Sequence, residues 1–269
     1  MWHRPASGPI QTMFQSVIAQ VPVVTRCRHS TVFRLDRVPT GDARERQTQM
    51  QGRTIVFDLD GTLIDSAPDL FGTVRWLLAR EGREQVTYDR AKDLIGDGAG
   101  PMIRGSFGDT GGVPEGAEYD RLMGLFLDYY GRHVADRSEP FPGAIAAVMR
   151  MKARGARVAI CTNKRIGFTR DILRLMNIGH LFDSVAGSDS FEFRKPDGRH
   201  LIETVRQAGG DPARAIMIGD SATDVGAARS AGVPVVAVSF GYGKGPATDL
   251  GADVVIDHFD QLDRAVATL

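Results

Sequence analysis

Two aspartates, one residue apart, follow a short apolar run of the chain. Asp58 and Asp60 come after Thr54–Phe57, and residues two apart in an extended segment project to the same side. One carboxylate of such a pair can attack phosphorus as a nucleophile, while the other, if protonated, can donate its proton to a departing alkoxide. The spacing therefore predicts covalent and acid–base chemistry at a single centre.

Further polar side chains stand just behind later apolar runs. They are a hydroxyl, an amide, an ammonium and two more carboxylates: Thr162, Asn163, Lys195, Asp220 and Asp224. Open parallel sheets bind ligands outside the carboxyl ends of their strands. If the apolar runs are parallel strands, these side chains converge with Asp58 and Asp60 on one edge of a sheet.

The types of these residues suit a phosphate dianion held beside a metal ion. Mg²⁺ prefers oxygen ligands, so the side chains of Asp58 and Asp220 are its predicted ligands. The predicted donors to the phosphoryl oxygens are Thr162, Asn163 and Lys195. Asp224, one helical turn after Asp220, is predicted to contact and orient the residues that bind the metal, without binding the metal itself.

The apolar runs alternate with helical stretches, which is typical of βαβ units on a parallel sheet. The predicted strands are Thr54–Phe57, Arg157–Cys161, Ser184–Ala186, Ala215–Ile218, Val233–Val238 and Val254–Ile256. The predicted helices between them are Ala144–Arg154, Gly167–Met176, Asp197–Ala208 and Thr223–Ser230. We therefore expect the α/β class, with a doubly wound parallel sheet.

Residues 66–138 break this alternation and show helical patterns only. The predicted helices are Pro68–Arg80, Tyr88–Ile95, Pro101–Phe107 and Ala117–Val134. We expect a core formed by residues 51–65 and 139–269, with residues 66–138 inserted as a helical cap on hinges near Ile64–Pro68 and Glu139–Gly143. The Gly96-Asp97-Gly98 loop is either an ordinary turn or a loop that descends over the site towards the substrate.

The motifs resemble those of a known family. Asp58-Leu59-Asp60-Gly61-Thr62 is similar to the first signature of the haloacid dehalogenase superfamily. Thr162, Lys195 and Gly219-Asp220-Ser221-x-x-Asp224 follow in that family's order, and the resemblance extends from Thr54 almost to the C-terminus. The Asp65–Leu70 segment and the Phe240–Gly243 loop are similar to the phosphoglycolate phosphatase group, which carries a helical cap after the first signature.

The resemblance implies a reaction and a fuller ligand set. It implies Mg²⁺-dependent hydrolysis of a small phosphate monoester through a phospho-aspartate on Asp58, with 2-phosphoglycolate as the first candidate. It also implies that the backbone carbonyl of Asp60 completes the metal ligands, and an aspartate at this position is typical of phosphatases and phosphomutases. The alternatives are a β-phosphoglucomutase-like phosphomutase, a pyrophosphatase or nucleotidase, and a non-catalytic phosphate-binding protein. The exact substrate depends on cap contacts that composition does not show.

The composition of the chain disfavours some classes of binding partner. The 269 residues hold 33 basic and 33 acidic side chains, so no global field favours nucleic acid or an anionic membrane. Cys27 and Cys161 form no disulfide framework, and we expect a cytoplasmic protein whose partner is a small phosphorylated metabolite. No apolar run is long enough to span a bilayer. Homo-oligomerisation is left open.

Residues 1–50 differ from the rest of the chain. They hold seven arginines and three acids, a formal charge of +4, and show no sustained periodicity. We interpret them as a disordered extension, or as the product of a start assigned too early, with Met50 as the true beginning. An arginine-rich transit peptide and an ordered strand near Ser30–Leu35 are the alternatives.

Overall fold

The computed structural model describes residues 50–95 and 98–269. The interpretations of the N-terminal extension, including the strand near Ser30–Leu35, therefore lie outside the described residues. So do Gly96 and Asp97 of the cap loop.

A parallel six-stranded sheet forms the centre of the described chain. Its strands have the order β5-β4-β1-β6-β7-β8, and a separate antiparallel pair joins β2 to β3. The bounds are β1 (Thr54–Phe57), β2 (Ile64–Asp65), β3 (Glu139–Pro140), β4 (Arg157–Cys161), β5 (Ser184–Ala186), β6 (Ala215–Gly219), β7 (Val235–Val238) and β8 (Val254–Ile256). The predicted α/β class with a parallel sheet is confirmed. β7 begins later than predicted, at Val235, because Pro234 has no N–H to donate to a neighbouring strand.

Helices cover both faces of the sheet. Their bounds are α1 (Ala67–Arg80), α2 (Tyr88–Lys92), α3 (Ala99–Asp109), α4 (Gly116–Arg132), α5 (Ala144–Ala153), α6 (Ile166–Leu175), α7 (Gly198–Gln207), α8 (Ala222–Ala231) and α9 (Leu262–Ala267). In the part of the chain that the structure describes, no helix combines the length and apolar character needed to cross a membrane. The short α9 was not predicted.

The central strand shows why the sheet is covered on both faces. Successive side chains of a strand point to opposite faces. Ile55 and Phe57 of β1 are fully buried in one hydrophobic cluster, while Val56 is fully buried in a second cluster that also contains Leu201 and Val225 from α7 and α8. A strand buried on both faces is apolar without interruption, as the sequence of β1 shows.

Two short linkers connect the helices α1–α4 to the sheet. They pair as β2 and β3, with Ile64 opposite Pro140 and Asp65 opposite Glu139. The buried carboxylate of Asp69, in the first turn of α1, accepts the backbone N–H groups of Arg137 at 3.0 Å and Ser138 at 2.8 Å. The entry to this helical segment and its exit are therefore tied together. The division into a cap and a core remains a prediction.

Candidate active site

The register of the central strands brings the predicted site residues to one edge. Phe57 at the end of β1 is level with Ile160 of β4 and Ile218 of β6. The backbone N–H of Asp58 extends this ladder by donating to the carbonyl of Ile218 at 2.9 Å. The side chains that follow the three strands therefore leave the sheet at the same height, around Asp58.

Lys195 lies between two carboxylates. Its Nζ is 2.9 Å from Oδ1 of Asp58 and 2.6 Å from Oδ1 of Asp224, and its side chain is 1% exposed. Burial disfavours the charged ammonium, but the attraction of Asp224 and Asp58 outweighs this effect and raises the pKa of Lys195. The lysine is therefore a fixed positive charge beside the predicted nucleophile.

Asp220 is held from two directions. It accepts the hydroxyl of Thr62 at 3.0 Å and the backbone N–H of Tyr242 at 2.7 Å. Gly61, whose φ is +84°, allows the close approach of Asp220, because a Cβ at position 61 would lie 2.4 Å from Oδ2 of Asp220. Burial, followed by the like charges of Asp224 and Asp58, raises the pKa of Asp220 to about 8.

The acidic cluster at this edge fits a hard divalent cation. Carboxylate oxygens of Asp58, Asp220 and Asp224 all lie within 4.8 Å of one another, and all three residues are buried. Burial is the main cause that raises the pKa of Asp58 to about 6, against the opposing effect of Lys195. Without a cation the cluster holds more negative charge than Lys195 can balance, and all-oxygen sites suit Mg²⁺, Ca²⁺ or Mn²⁺.

The carboxylate of Asp224 already has protein partners on both oxygens. Lys195 occupies Oδ1, while Oδ2 accepts the backbone N–H groups of Asp220 at 3.2 Å and Ser221 at 3.0 Å. Gly219 makes room for it, since a Cβ there would lie 2.3 Å from Cγ of Asp224. Both oxygens of Asp220 also have protein partners, so these contacts alone do not rank the three carboxylates, and the choice of Asp58 and Asp220 as metal ligands remains a prediction. Ser221 caps α8 in a capping box with Asp224.

Lys164 is a site residue that sequence reasoning missed. Its buried Nζ donates to both carboxylate oxygens of Asp60 at 2.9 Å, and Oδ1 also accepts the hydroxyl of Ser66 at 2.5 Å. The signal in the sequence was its position, because Lys164 stands two residues beyond Thr162 in the loop that follows β4.

Thr162 and Asn163 lie at the same edge and support the loop behind it. The hydroxyl of Thr162 accepts the backbone N–H of Lys164 at 3.2 Å. The amide nitrogen of Asn163 donates to the backbone carbonyl of Lys195 at 3.1 Å, and its Oδ1 is buried with no hydrogen-bond partner among the described residues. The contacts of Thr162 and Asn163 with substrate remain a prediction.

A cavity of about 620 Å³ opens over Asp58 and Asp60. One side is formed by the edge of the sheet, including Thr162, Asn163 and Lys164, and the other by side chains from α1, α3 and α4. The predicted reactive residues therefore face a cavity large enough for a small molecule.

Comparisons with known proteins agree with this geometry. The family model described as haloacid dehalogenase-like hydrolase matches residues 55–238. The chain belongs to the haloacid dehalogenase-like hydrolase family, as the motifs around Asp58 and Asp220 predicted.

Individual relatives cover most of the chain. A Mesorhizobium japonicum protein named phosphoglycolate phosphatase is 44% identical over 79% of this chain and 94% of its own length. A Caulobacter vibrioides protein of the same name is 40% identical over 82% and 93%. The crystal structure of a predicted phosphoglycolate phosphatase from Haemophilus somnus 129PT has a TM-score of 0.74 at 28% identity, covering 81% of this chain and 98% of that one.

Proposed function

We propose that this protein is a Mg²⁺-dependent phosphatase that hydrolyses 2-phosphoglycolate to glycolate and phosphate through a phospho-aspartate on Asp58. The observation that carries the proposal is the convergence of Asp58, Lys195 and Asp220 at one buried edge of the sheet, next to the cavity. The names of the relatives support the choice of substrate.

In the first half of the reaction, an oxygen of Asp58 attacks phosphorus as the bond to the glycolate oxygen breaks. The departing oxygen takes a proton from Asp60, which Lys164 and Ser66 hold in orientation. Lys195, beside Asp58, offsets negative charge on the transferring phosphoryl oxygens.

In the second half, Asp60 takes a proton from water, and the water oxygen attacks phosphorus of the acyl phosphate. The bond to Asp58 breaks, phosphate leaves, and both aspartates return to their starting protonation states. The residues that would hold Mg²⁺ are Asp58 and Asp220 through their side chains and Asp60 through its backbone carbonyl. When bound, the ion would reduce the repulsion between the nucleophile and the phosphate dianion.

A panel of phosphorylated metabolites tests the proposal. Phosphate release is measured with Mg²⁺ and with a chelator, and the panel includes pyrophosphate, nucleotides and a sugar bisphosphate. We expect 2-phosphoglycolate to be among the best few substrates by kcat/KM, with activity lost in the chelator. A better nucleotide or pyrophosphate substrate would refute the assignment, and so would a bisphosphate that turns over without releasing phosphate.

A further inference from the structure

The two sides of the cavity differ in chemical character. The sheet side carries Asp58, Asp60 and Lys164, whereas the side formed by α3 and α4 is largely apolar, with residues such as Met102 and Phe126. Among the described residues of the segment between β2 and β3 that line the cavity, Arg104 alone is charged. A substrate whose phosphate lies on the sheet side would therefore meet this guanidinium with its other end.

The Arg104 guanidinium is supported by an aromatic ring rather than by an acid. Its Cζ lies 4.2 Å from the centroid of the Tyr119 ring, which also lines the cavity. Within the described ranges 50–95 and 98–269, no carboxylate or carbonyl accepts a hydrogen bond from Arg104. Stacking on a ring leaves the donors at the edge of the guanidinium available for a ligand.

Two other arginines of the same segment, Arg90 and Arg121, are paired with acids. Arg90 lies 2.6 Å from Asp109, and Arg121 lies 2.6 Å from Glu81. The position of Tyr119 is also supported, because a Cβ at Gly100 would lie only 2.8 Å from the Tyr119 hydroxyl. Positions 100 and 104 are one turn apart on α3, so the glycine and the arginine share the helix face that receives the ring.

We propose that Arg104 is a specificity-determining residue that binds the carboxylate of the substrate and so selects phosphate esters of hydroxy acids over neutral esters. This inference rests on the proposed function. A guanidinium matches the two oxygens of a carboxylate with parallel N–H donors, and such charge-assisted hydrogen bonds are stronger than those between neutral groups.

Three other cations line the cavity, from the sheet side. Lys164 is paired with Asp60, and Arg165 lies 3.3 Å from Asp189. Arg194 has no side-chain partner among the described residues, but it directly precedes Lys195 and so lies beside the predicted phosphate site. Arg194 is therefore the rival for the carboxylate, and the experiment includes it.

The experiment compares 2-phosphoglycolate with carbamoylmethyl phosphate, in which a neutral amide replaces the carboxylate. Values of kcat/KM are measured with Mg²⁺ for the wild type, Arg104→Met, Arg104→Lys and Arg194→Met. Arg80→Met is the matched control, because Arg80 also stacks on a ring in this segment, with Cζ 5.6 Å from the Trp76 centroid, but does not line the cavity.

We expect Arg104→Met to lower kcat/KM for 2-phosphoglycolate by about 10- to 100-fold, mainly through KM, the range expected for loss of a charged hydrogen bond. Activity of Arg104→Met on the amide should change by less than about threefold. Arg104→Lys should retain part of the preference for 2-phosphoglycolate, because lysine keeps the positive charge but lacks the two parallel N–H donors of the guanidinium. Arg80→Met should resemble the wild type on both substrates.

Two results would overturn the inference while leaving the proposed function intact. In the first, the wild type prefers 2-phosphoglycolate over the amide and the Arg104→Met variant keeps this preference. Loss of the preference in Arg194→Met alone is one form of this result. The second result is an equal loss on both substrates, which would assign Arg104 a structural role. A wild type that does not hydrolyse 2-phosphoglycolate would refute the proposed function as well, so the two failures are distinguishable.

Discussion

The two sides of the cavity hold their charges in different ways. On the sheet side, Lys195 is 1% exposed between Asp58 and Asp224, and Lys164 is 5% exposed on Asp60, so each of these two buried lysines has a carboxylate partner. On the opposite side, Arg104 is exposed and stacks on Tyr119 without an acidic partner among the described residues.

This difference predicts which charged side chains of the cavity tolerate substitution and which do not. A buried ion pair resists single substitutions, because removing one partner leaves the other charge uncompensated in a low dielectric. An exposed guanidinium on an aromatic ring can be replaced at little cost to folding. We infer that the reaction depends on the sheet side, while the choice of substrate can change on the α3–α4 side.

The strongest test of this separation is Asp58→Asn. An amide cannot form the acyl phosphate, so we expect phosphate release to fall by at least about 10³-fold. The fold should persist, because Lys195 keeps its contact with Asp224. The measurements are phosphate release, acid-stable phosphoryl-enzyme after rapid quench, and far-UV circular dichroism. Retained turnover in a folded Asp58→Asn protein would show that another group attacks phosphorus.

The second test compares Lys195→Met with Arg104→Met in urea unfolding without metal. Removing Lys195 leaves Asp58 and Asp224 facing each other in a buried site, and we expect the free energy of unfolding to fall by about 3–5 kcal/mol. For Arg104→Met we expect less than about 1 kcal/mol.

A double variant separates charge from packing in this comparison. Adding Asp224→Asn to Lys195→Met removes one of the two uncompensated carboxylates, so part of the lost stability should return. Equal losses for Lys195→Met and Arg104→Met would contradict the proposed difference between the two sides.

The sheet and the positions at its edge could be predicted because they have local signals. Apolar runs such as Thr54–Phe57 mark buried strands, and the residue after each parallel strand must lie at the carboxyl edge. The structure confirms this fold. The roles of Asp58, Asp60 and Asp220 remain predictions, although the geometry brings their side chains together.

The contacts that sequence reasoning missed lack such local signals. The pairing of Lys164 with Asp60 spans 104 positions, and that of Tyr242 with Asp65 spans 177. Each depends on how a loop packs after the sheet has formed, which hydrophobic periodicity does not encode. The stacking of Arg104 on Tyr119 likewise depends on how α3 and α4 meet.

The third test uses pH to examine the acidic cluster of the sheet side. Burial and like charges raise the pKa of Asp220 from 3.8 to about 8, so the folded metal-free protein holds a proton that the unfolded chain releases above about pH 4. The free energy of unfolding of the metal-free protein should therefore fall as pH rises from about 4 to about 8.

Metal binding should show the opposite trend. Because a bound cation requires an ionised Asp220, binding below about pH 8 should release a proton, and affinity for Mg²⁺ should rise by up to about tenfold per pH unit. Titration calorimetry at pH 6.5, 7.5 and 8.5, in two buffers of different ionisation enthalpy, measures the proton release directly. Binding with no proton release at pH 6.5 would contradict the assignment of Asp220 as a ligand.

The smallest expected effect concerns Tyr242, which connects the acidic cluster to the linker entering α1. Its backbone N–H donates to Asp220 at 2.7 Å, while its hydroxyl donates to Asp65 at 2.5 Å and accepts the N–H of Ala67 at 3.0 Å. Tyr242→Phe removes only the hydroxyl contacts and leaves a buried N–H unpaired, so we expect the free energy of unfolding to fall by about 1–2 kcal/mol.

The Tyr242→Phe variant should leave Mg²⁺ affinity nearly unchanged, since the backbone contact with Asp220 does not depend on the hydroxyl. Tyr129→Phe is the control, because Tyr129 stacks on Trp76 and its hydroxyl makes no hydrogen bond within residues 50–95 and 98–269. Its free energy of unfolding should change by less than about 0.5 kcal/mol. A large loss of metal affinity in Tyr242→Phe would mean that the linker contacts hold Asp220 in place, and the two regions would then be energetically coupled through this tyrosine.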